Sequence, residues 1–398
     1  MLPGGIKRKI RIYMKAKSIK GKSAEEIKTA LQESTADGFK PTLAIVFISV
    51  KQDRAAVVKI LTGAGIDCVG ATSCNEFTDG NQSEGAIAMM LLDIDKENYA
   101  LLTEDIGTKT VVEAGTLLST AALQKFSNPS LIILSTSLME TGAILDGETL
   151  IRSIEKTIGP QVNMFGGMAG DDLSFTGTYV FSNNWSTGYG VTAIAFCEDK
   201  IKMYGVALSG WKSIGVSRTV TKSKKNLLYE IDGKPALEMY LRFLGEDFDS
   251  TQDQSKFFDA VGMHYPLQIE REGHEPMMCN PMGYNKEESA LLMESNIEEG
   301  ARFKFSTPPD FDIIETVMEK AAEIRNEHAV DADALLIFSC VSRLNALGPL
   351  AQQENDGLAE IWKAPMAGFY TYGEFGRAIN GKHEFHSTTC SWVALKEQ

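Results

Sequence analysis

The chain has 398 residues, 43% of them hydrophobic, which gives room for two or three domains with substantial cores. The formal net charge is −14, and because residues 1–22 hold eight Lys/Arg and no acid, the remainder carries 31 Lys/Arg against 53 Asp/Glu. Such a body repels nucleic acid and anionic membrane, and no apolar run reaches the roughly 18 to 20 residues of a bilayer span.

The basic leader lacks the apolar segment of a signal peptide, so a cytoplasmic protein is expected, with the leader a solvated arm ending in an edge strand over Lys9 to Met14. The six cysteines form no Cys-x-x-Cys pair and no structural zinc spacing, and read as reduced thiols. Ser23-Ala24-Glu25-Glu26 is a capping-box sequence that opens a helix with Ile27, Ala30 and Leu31 on one face, closed by Asp37-Gly38. Pro41 to Val50 is a buried strand, and Asp53 to Leu61 a crossover helix stopped by Gly63 and Gly65. Further helices are expected over Lys109 to Lys125, stopped by Asn128-Pro129, and over Glu148 to Ile158, stopped by Gly159-Pro160. Val216 to Thr221 alternates as a strand, Asp232-Gly233 turns, and Pro235 precedes a helix over Ala236 to Leu244. Phe248 to Lys256 is polar and acidic and reads as a loop. From Gly262 to Phe305 the pattern becomes an antiparallel meander: His264 to Ile269, Met277 to Tyr284, Ser289 to Glu294 and Arg302 to Ser306. A helix follows Pro308-Pro309-Asp310, with Ile314, Val317, Met318, Ala321 and Ile324 on one face.

One layout recurs three times. Leu43 to Ser49, Leu131 to Ser135 and Leu335 to Ser339 are apolar runs ending in Ser. Each is followed, past a connection long enough for a helix, by a Gly-initiated loop that closes on a carboxylate: Gly70 to Glu76, Gly166 to Asp171 and Gly368 to Glu374. A further apolar strand then follows: Ala86 to Leu92, Gly190 to Phe196 and Thr388 to Leu395. The irregular period excludes a solenoid and favours a pseudo-symmetric α/β arrangement with mixed sheets. Gly166 to Asp172 leads into Tyr179-Val180-Phe181, a strand rather than a helix, so it is no dinucleotide fingerprint. The only Gly-Lys-Ser, Gly21 to Ser23, follows no buried strand, and no nucleotide is expected.

In α/β sheets ligands gather where strand ends open onto loops, which singles out the last unit. Ser339, Cys340, Ser342 and Arg343 end one strand, Tyr372 and Glu374 end the next, and His386 and Thr388 lie a short loop later. Arg343 among hydroxyls suits a bidentate grip on a small carboxylate, with Glu374 free for an ammonium, as an amino acid would require; an Arg343–Glu374 ion pair that merely closes the fold is the alternative. Cys340, His386 and Glu374 also form a possible Cys/His/carboxylate catalytic set, although Cys340 lies in no nucleophile elbow. His383 and His386, three apart in an extended segment, fall on opposite faces and make a poor metal pair.

Val69 to Ser73, Gly166 to Asp171, Asp232-Gly233-Lys234-Pro235-Ala236 with Tyr240, Cys340 to Arg343, Gly368 to Glu374 and Phe385-His386 together resemble the FIST family. The resemblance implies an N-terminal domain over 41–235 and a C-terminal ligand-binding domain over 236–398, preceded by the leader and first helix at 1–40. It implies a bacterial-type, non-catalytic sensor of small ligands, proposed to include amino acids. Without an output domain in this chain, it would signal to a separate protein such as a histidine kinase or cyclic-di-GMP enzyme. In a subset of the family it implies haem binding and nitric-oxide sensing; here His386 is the first candidate axial ligand and His264 the second, without a Cys-x-x-Cys-His motif. Two positions depart from the family pattern: Asn75 stands where Gly is usual before the Glu, and Ser387-Thr388 where Asn-Gln is commoner after the His.

Overall fold

The computed structural model describes residues 13–245, 257–310 and 312–398. The expected edge strand over Lys9 to Met14 lies outside the described residues except for its last two, which form no strand, and the expected loop over Phe248 to Lys256 lies wholly outside them.

The recurrent layout is a true structural repeat. The first unit runs through β1 (Lys15–Gly21), α1 (Ala24–Thr35), β2 (Leu43–Ser49), α2 (Arg54–Gly63), β3 (Asp67–Ser73), a hairpin of β4 (Glu76–Thr78) and β5 (Asn81–Ser83), and β6 (Ile87–Asp93). The second repeats that order with β7 (Tyr99–Asp105), α3 (Val111–Lys125), β8 (Pro129–Ser135), α4 (Gly147–Ile158), β9 (Met164–Met168), the hairpin β10 (Val180–Ser182) and β11 (Trp185–Thr187), and β12 (Gly190–Cys197). The third opens with β13 (Ile201–Leu208). An insertion then intervenes: β14 (Lys212–Lys224), β15 (Leu227–Ile231), β16 (Lys234–Pro235), α5 (Ala236–Leu244), β17 (Leu267–Ile269), β18 (Met277–Cys279), β19 (Pro281–Asn285), β20 (Ala290–Met293) and β21 (Arg302–Thr307). The unit resumes with α6 (Ile313–His328), β22 (Ala334–Cys340), α7 (Val341–Leu347), α8 (Leu350–Trp362), β23 (Met366–Thr371), the hairpin β24 (Glu374–Arg377) and β25 (His383–His386), and β26 (Cys390–Glu397).

Each unit builds the same mixed sheet. Its central strand lies parallel to the strand after the crossover helix (β2 with β3, β8 with β9, β22 with β23) and antiparallel to the last strand of the unit. The hairpins do not stay at home. β4 of the first unit pairs with β23 of the third, β10 of the second with β3 of the first, and β24 of the third with β9 of the second. The exchange closes a ring of three sheets, and at each junction one Phe faces one Gly: Phe77 opposite Gly368, Phe181 opposite Gly70, and Phe375 opposite Gly166. The glycines make room for the rings, since a Cβ on Gly70 would lie 2.3 Å from Phe181 and one on Gly368 would lie 2.3 Å from Phe77.

Strand alternation explains the layers. Leu43, Ile45 and Phe47 of β2 join Ile132 and Leu134 of β8 and Leu336 and Phe338 of β22 in one core at the centre of the ring, where Phe47 stacks on Phe369 at 4.7 Å. The intervening Ala44, Val46 and Ile48 face outward onto α1 and α2; Ile133 does so under α3 and α4, and Leu335 and Ile337 under α6 and α8. Both faces of these strands are buried, which is why they read as unbroken apolar runs.

The insertion is antiparallel, as expected, in the order β18-β17-β21-β14-β15-β20-β19 with its own core around Tyr240, Phe257 and Phe303. The expected single strand over Met277 to Tyr284 is two: β18 pairs with β17 and β19 with β20, and the chain changes partners at Asn280-Pro281, where a proline cannot donate to a ladder. A loop of the insertion is tied to the second unit and to β25 by Arg271, which bonds Glu148 at 3.0 Å and Glu384 at 2.6 Å.

Candidate functional site

At the C-terminal ends of β22 and β23 the third unit meets the insertion. Glu374, fully buried, begins β24; Thr371 Oγ1 donates to one carboxylate oxygen and the Thr389 backbone N–H to the other at 3.1 Å. Burial pushes its carboxyl well above the usual range, more than these hydrogen bonds lower it. The Cys340 thiol is hydrogen-bonded to it and lies under the Ser342 backbone N–H; burial and the neighbouring Glu374 raise the thiol far above its ordinary value.

Opposite stand two residues from the insertion that the sequence reading missed. Glu294 accepts from the Asn280 backbone N–H and from Asn280 Nδ2, both at 2.9 Å, and burial pushes its carboxyl up to about 7. Asn280 Nδ2 also donates to Ser387 Oγ at 3.0 Å. Asn280 Oδ1 is buried and accepts from nothing among the described residues. Because both amide hydrogens are aimed at acceptors, the amide cannot be turned to satisfy that oxygen without stranding its donors. Thr388, beside Ser387, is fully buried and holds φ at +56°, an uncommon conformation for a β-branched residue, fixed by Ser209 Oγ donating to its carbonyl at 3.2 Å. Asn280 and Glu294 had one legible mark, as polar residues within a run of short apolar strands, but nothing in sequence ties them to residues 340–388.

The structure thus gathers Cys340, Glu374 and the Ser387-Thr388 turn. Ser339 contributes its carbonyl to Thr371 at 3.2 Å, and Ser342 its backbone. Arg343 is placed differently from expectation. It lies in the first turn of α7, fully buried, and pairs with Glu354 of α8 rather than with Glu374: Nε donates to Oε2 at 2.9 Å, Nη2 to Oε1, and Nη1 to the Ser209 carbonyl. Burial works against its charge and Glu354 more than offsets that, so the guanidinium is a structural cation behind the cluster. Tyr372 also points elsewhere, donating to Asp171 and accepting from the Leu173 N–H at 3.1 Å.

His386 is buried, with Nε2 against the Gly376 carbonyl at 3.3 Å, and burial lowers its pKa to about 4. Its ring bonds neither Cys340 nor Glu374 among the described residues, although the β24–β25 ladder sets it opposite Glu374, so the Cys/His/carboxylate relay is not assembled. The enclosed ring does not fit haem iron bound through Nε2, and no step is derived through haem. His264 lies outside the cluster, half-buried, its pKa lowered by burial, and edge-on to Tyr265 at 6.4 Å.

The first unit carries the same device. Glu76 occupies the hairpin position of Glu374, accepts from Ser73 Oγ as Glu374 does from Thr371, and takes the Ala86 N–H at 2.9 Å; burial pushes it up to about 8. Asn75, at φ +81°, explains its departure from Gly: the position needs the left-handed region, which Asn tolerates. In the second unit Val180 takes the equivalent place, and the expected carboxylate, Asp171, instead holds its own loop through the N–H groups of Thr176 at 2.7 Å and Gly177 at 3.0 Å.

A buried acidic cluster thus lies where the mixed α/β ring meets the antiparallel insertion. Residues 42–234 match the FIST N domain and residues 236–377 the FIST C domain, and the chain belongs to the FIST family, whose domains are small-ligand sensory modules of signalling proteins rather than catalysts. Among curated proteins, none matches the chain. The junction of the two matched ranges falls inside the insertion of the third unit, whose sheet begins earlier, at β13.

Proposed function

We propose that the cluster of Cys340, Glu374, Asn280, Glu294, Ser387 and Thr388 binds a small metabolite through a protonated amine, an amino acid being the simplest case, and that occupancy is relayed to a separate signalling protein. The observation that carries this is Asn280 Oδ1, a buried acceptor without a donor among the described residues, set beside two carboxyls that burial pushes upward, Glu294 to about 7. An ammonium group supplies the missing donor and offsets the cost of ionising the carboxyls. Arg343 supports the site from behind through the Ser209 carbonyl and Thr388, and the ligand's own carboxylate would meet neutral hydroxyl and thiol groups rather than that guanidinium. A cytoplasmic setting agrees with six free cysteines.

Thermal-shift and calorimetric titrations with amino acids and with their des-amino carboxylates test the reading; a ligand at 100 times its dissociation constant adds roughly 2.7 kcal/mol. Amines should bind, des-amino analogues should not, and affinity should rise from pH 6 to pH 8 as Glu294 releases its proton. Equal binding of des-amino analogues, unchanged binding by Asn280→Ala, or silence across the panel would refute it.

A further inference from the structure

On the far side of the insertion, β14 has a free flank. It pairs with β21 at Lys212 to Ile214 and again at Arg218 and Thr219, whereas β15 joins its other side only from Val220 onward and Asp232 bonds the backbone N–H and carbonyl of Thr219, so from Lys212 to Arg218 that side has no strand partner among the described residues. The register slips between Ile214 and Arg218, where Gly215 at φ +74° forms a bulge that leaves Ile214 47% and Val216 66% exposed. Apolar side chains on an unpaired strand are the arrangement that soluble proteins usually avoid.

Between this flank and α5 lies a groove of about 540 Å³. Its floor is apolar, with Phe243 stacked on Phe305 at 4.3 Å. Its rim is cationic: Arg218, Lys234 and Arg242 line it and no acidic residue does, in a chain of net charge −14. Arg218 is held by Asp232 at 3.0 Å, whereas Lys234 and Arg242 are exposed and, among the described residues, their side chains make no hydrogen bond or ion pair, although Lys234 also feels the charge of Asp232. A local concentration of positive charge on an acidic protein raises the encounter rate with an acidic partner and disfavours like-charged ones.

We propose that this groove docks an extended acidic segment of a separate protein, which lies along the free flank of β14, sets alternate apolar side chains over Phe243 and Phe305, and places its carboxylates against Lys234 and Arg242. Strand addition fits because backbone groups are free on one side and side-chain contacts alternate along an extended peptide. A second copy of this chain fits poorly, since its own groove would bring like charges together. Nucleic acid fits poorly as well, because the floor is aliphatic and aromatic and the surrounding body is strongly acidic. The inference is independent of the carboxyl cluster and stands whether or not that cluster binds an amine.

Fluorescence anisotropy with two labelled peptides of about twelve residues, one alternating glutamate with valine and one alternating lysine with valine, tests it on the full chain. The glutamate peptide should bind and the lysine peptide should not. Binding should weaken with added salt and fall about tenfold or more in the exposed double variant Lys234→Glu/Arg242→Glu, whose fold is checked by circular dichroism. The proposal is overturned by no binding of the glutamate peptide, by equal binding of both peptides, or by undiminished binding to a folded double variant. It is equally overturned if a DNA oligonucleotide binds more tightly than the peptide, or if sedimentation shows a dimer that Val216→Lys dissociates.

Discussion

Replacing Arg343 by Ala tests whether the guanidinium is a ligand clamp or part of the fold. In the structure Arg343 is 0% and Glu354 1% exposed, with two Nε and Nη2 contacts to the carboxylate and a third bond from Nη1 to the Ser209 carbonyl. Removing the cation leaves a buried carboxylate facing a cavity, a change that typically costs about 3 to 5 kcal/mol, and also frees the carbonyl that steadies the Ser209–Thr388 contact. Urea melts of wild type, Arg343→Ala, Glu354→Ala and the double variant at pH 7 separate the contributions. The single Arg variant should lose about 3 kcal/mol or more, and the double variant should lose less than the sum of the two singles. If Arg343→Ala melts within about 1 kcal/mol of wild type at pH 7, the buried-pair argument is wrong and Arg343 is free to serve a ligand.

Three other outcomes follow from the geometry. Glu76 and Glu294, pushed up by burial to about 8 and about 7, hold protons that the unfolded chain has lost, so stability should fall as pH rises from about 4.5 to about 8; Glu76→Gln should flatten that slope in chemical melts and be the more stable protein above pH 8, and an unchanged slope counts against the buried-acid reading. Gly70→Ala places a Cβ 2.3 Å from Phe181 and 2.6 Å from the Val46 carbonyl and should cost about 3 kcal/mol or more by thermal melting, whereas a loss under about 1 kcal/mol would mean that the hairpin does not seat as described. Thiol labelling of the native protein should fall on the half-buried Cys197 and spare Cys340; labelling of Cys340 as fast as Cys197 contradicts its enclosure.

The central strands were legible because burial on both faces turns β2, β8 and β22 into unbroken apolar runs, and the polar ends of those runs marked the loops correctly. The threefold layout was legible from Gly70, Gly166 and Gly368, which hold equivalent places, although the loops expected to start at them begin as the strands β3, β9 and β23, and of the three carboxylates only Glu76 and Glu374 correspond. The hairpin exchange was not: β4 and β5 lie where a loop and a connection were expected, and even Tyr179-Val180-Phe181, legible as a strand, does not name β3 as its partner. Arg343 was misplaced for a related reason. Its partner Glu354 sits one helix later, and the turn between α7 and α8 that brings them together carries no local sign of the pairing. The insertion's contribution, Asn280 and Glu294, depends on a strand pair from a distant segment folding over the third unit, which periodicity cannot report.

The traded hairpins also set an order on synthesis. When β12 has left the ribosome, two sheets are nearly complete, yet β9 still lacks β24 and the hairpin carrying Phe77 has no β23 to join. The nascent chain must therefore carry an unmatched sheet edge and an unseated aromatic hairpin until its final residues emerge, and chaperones that mask such edges would act on this protein late in translation rather than early. By the same logic, a chain cut at the junction of the two matched ranges yields halves that each lack a strand the other holds, and they should recover a native ring only when mixed.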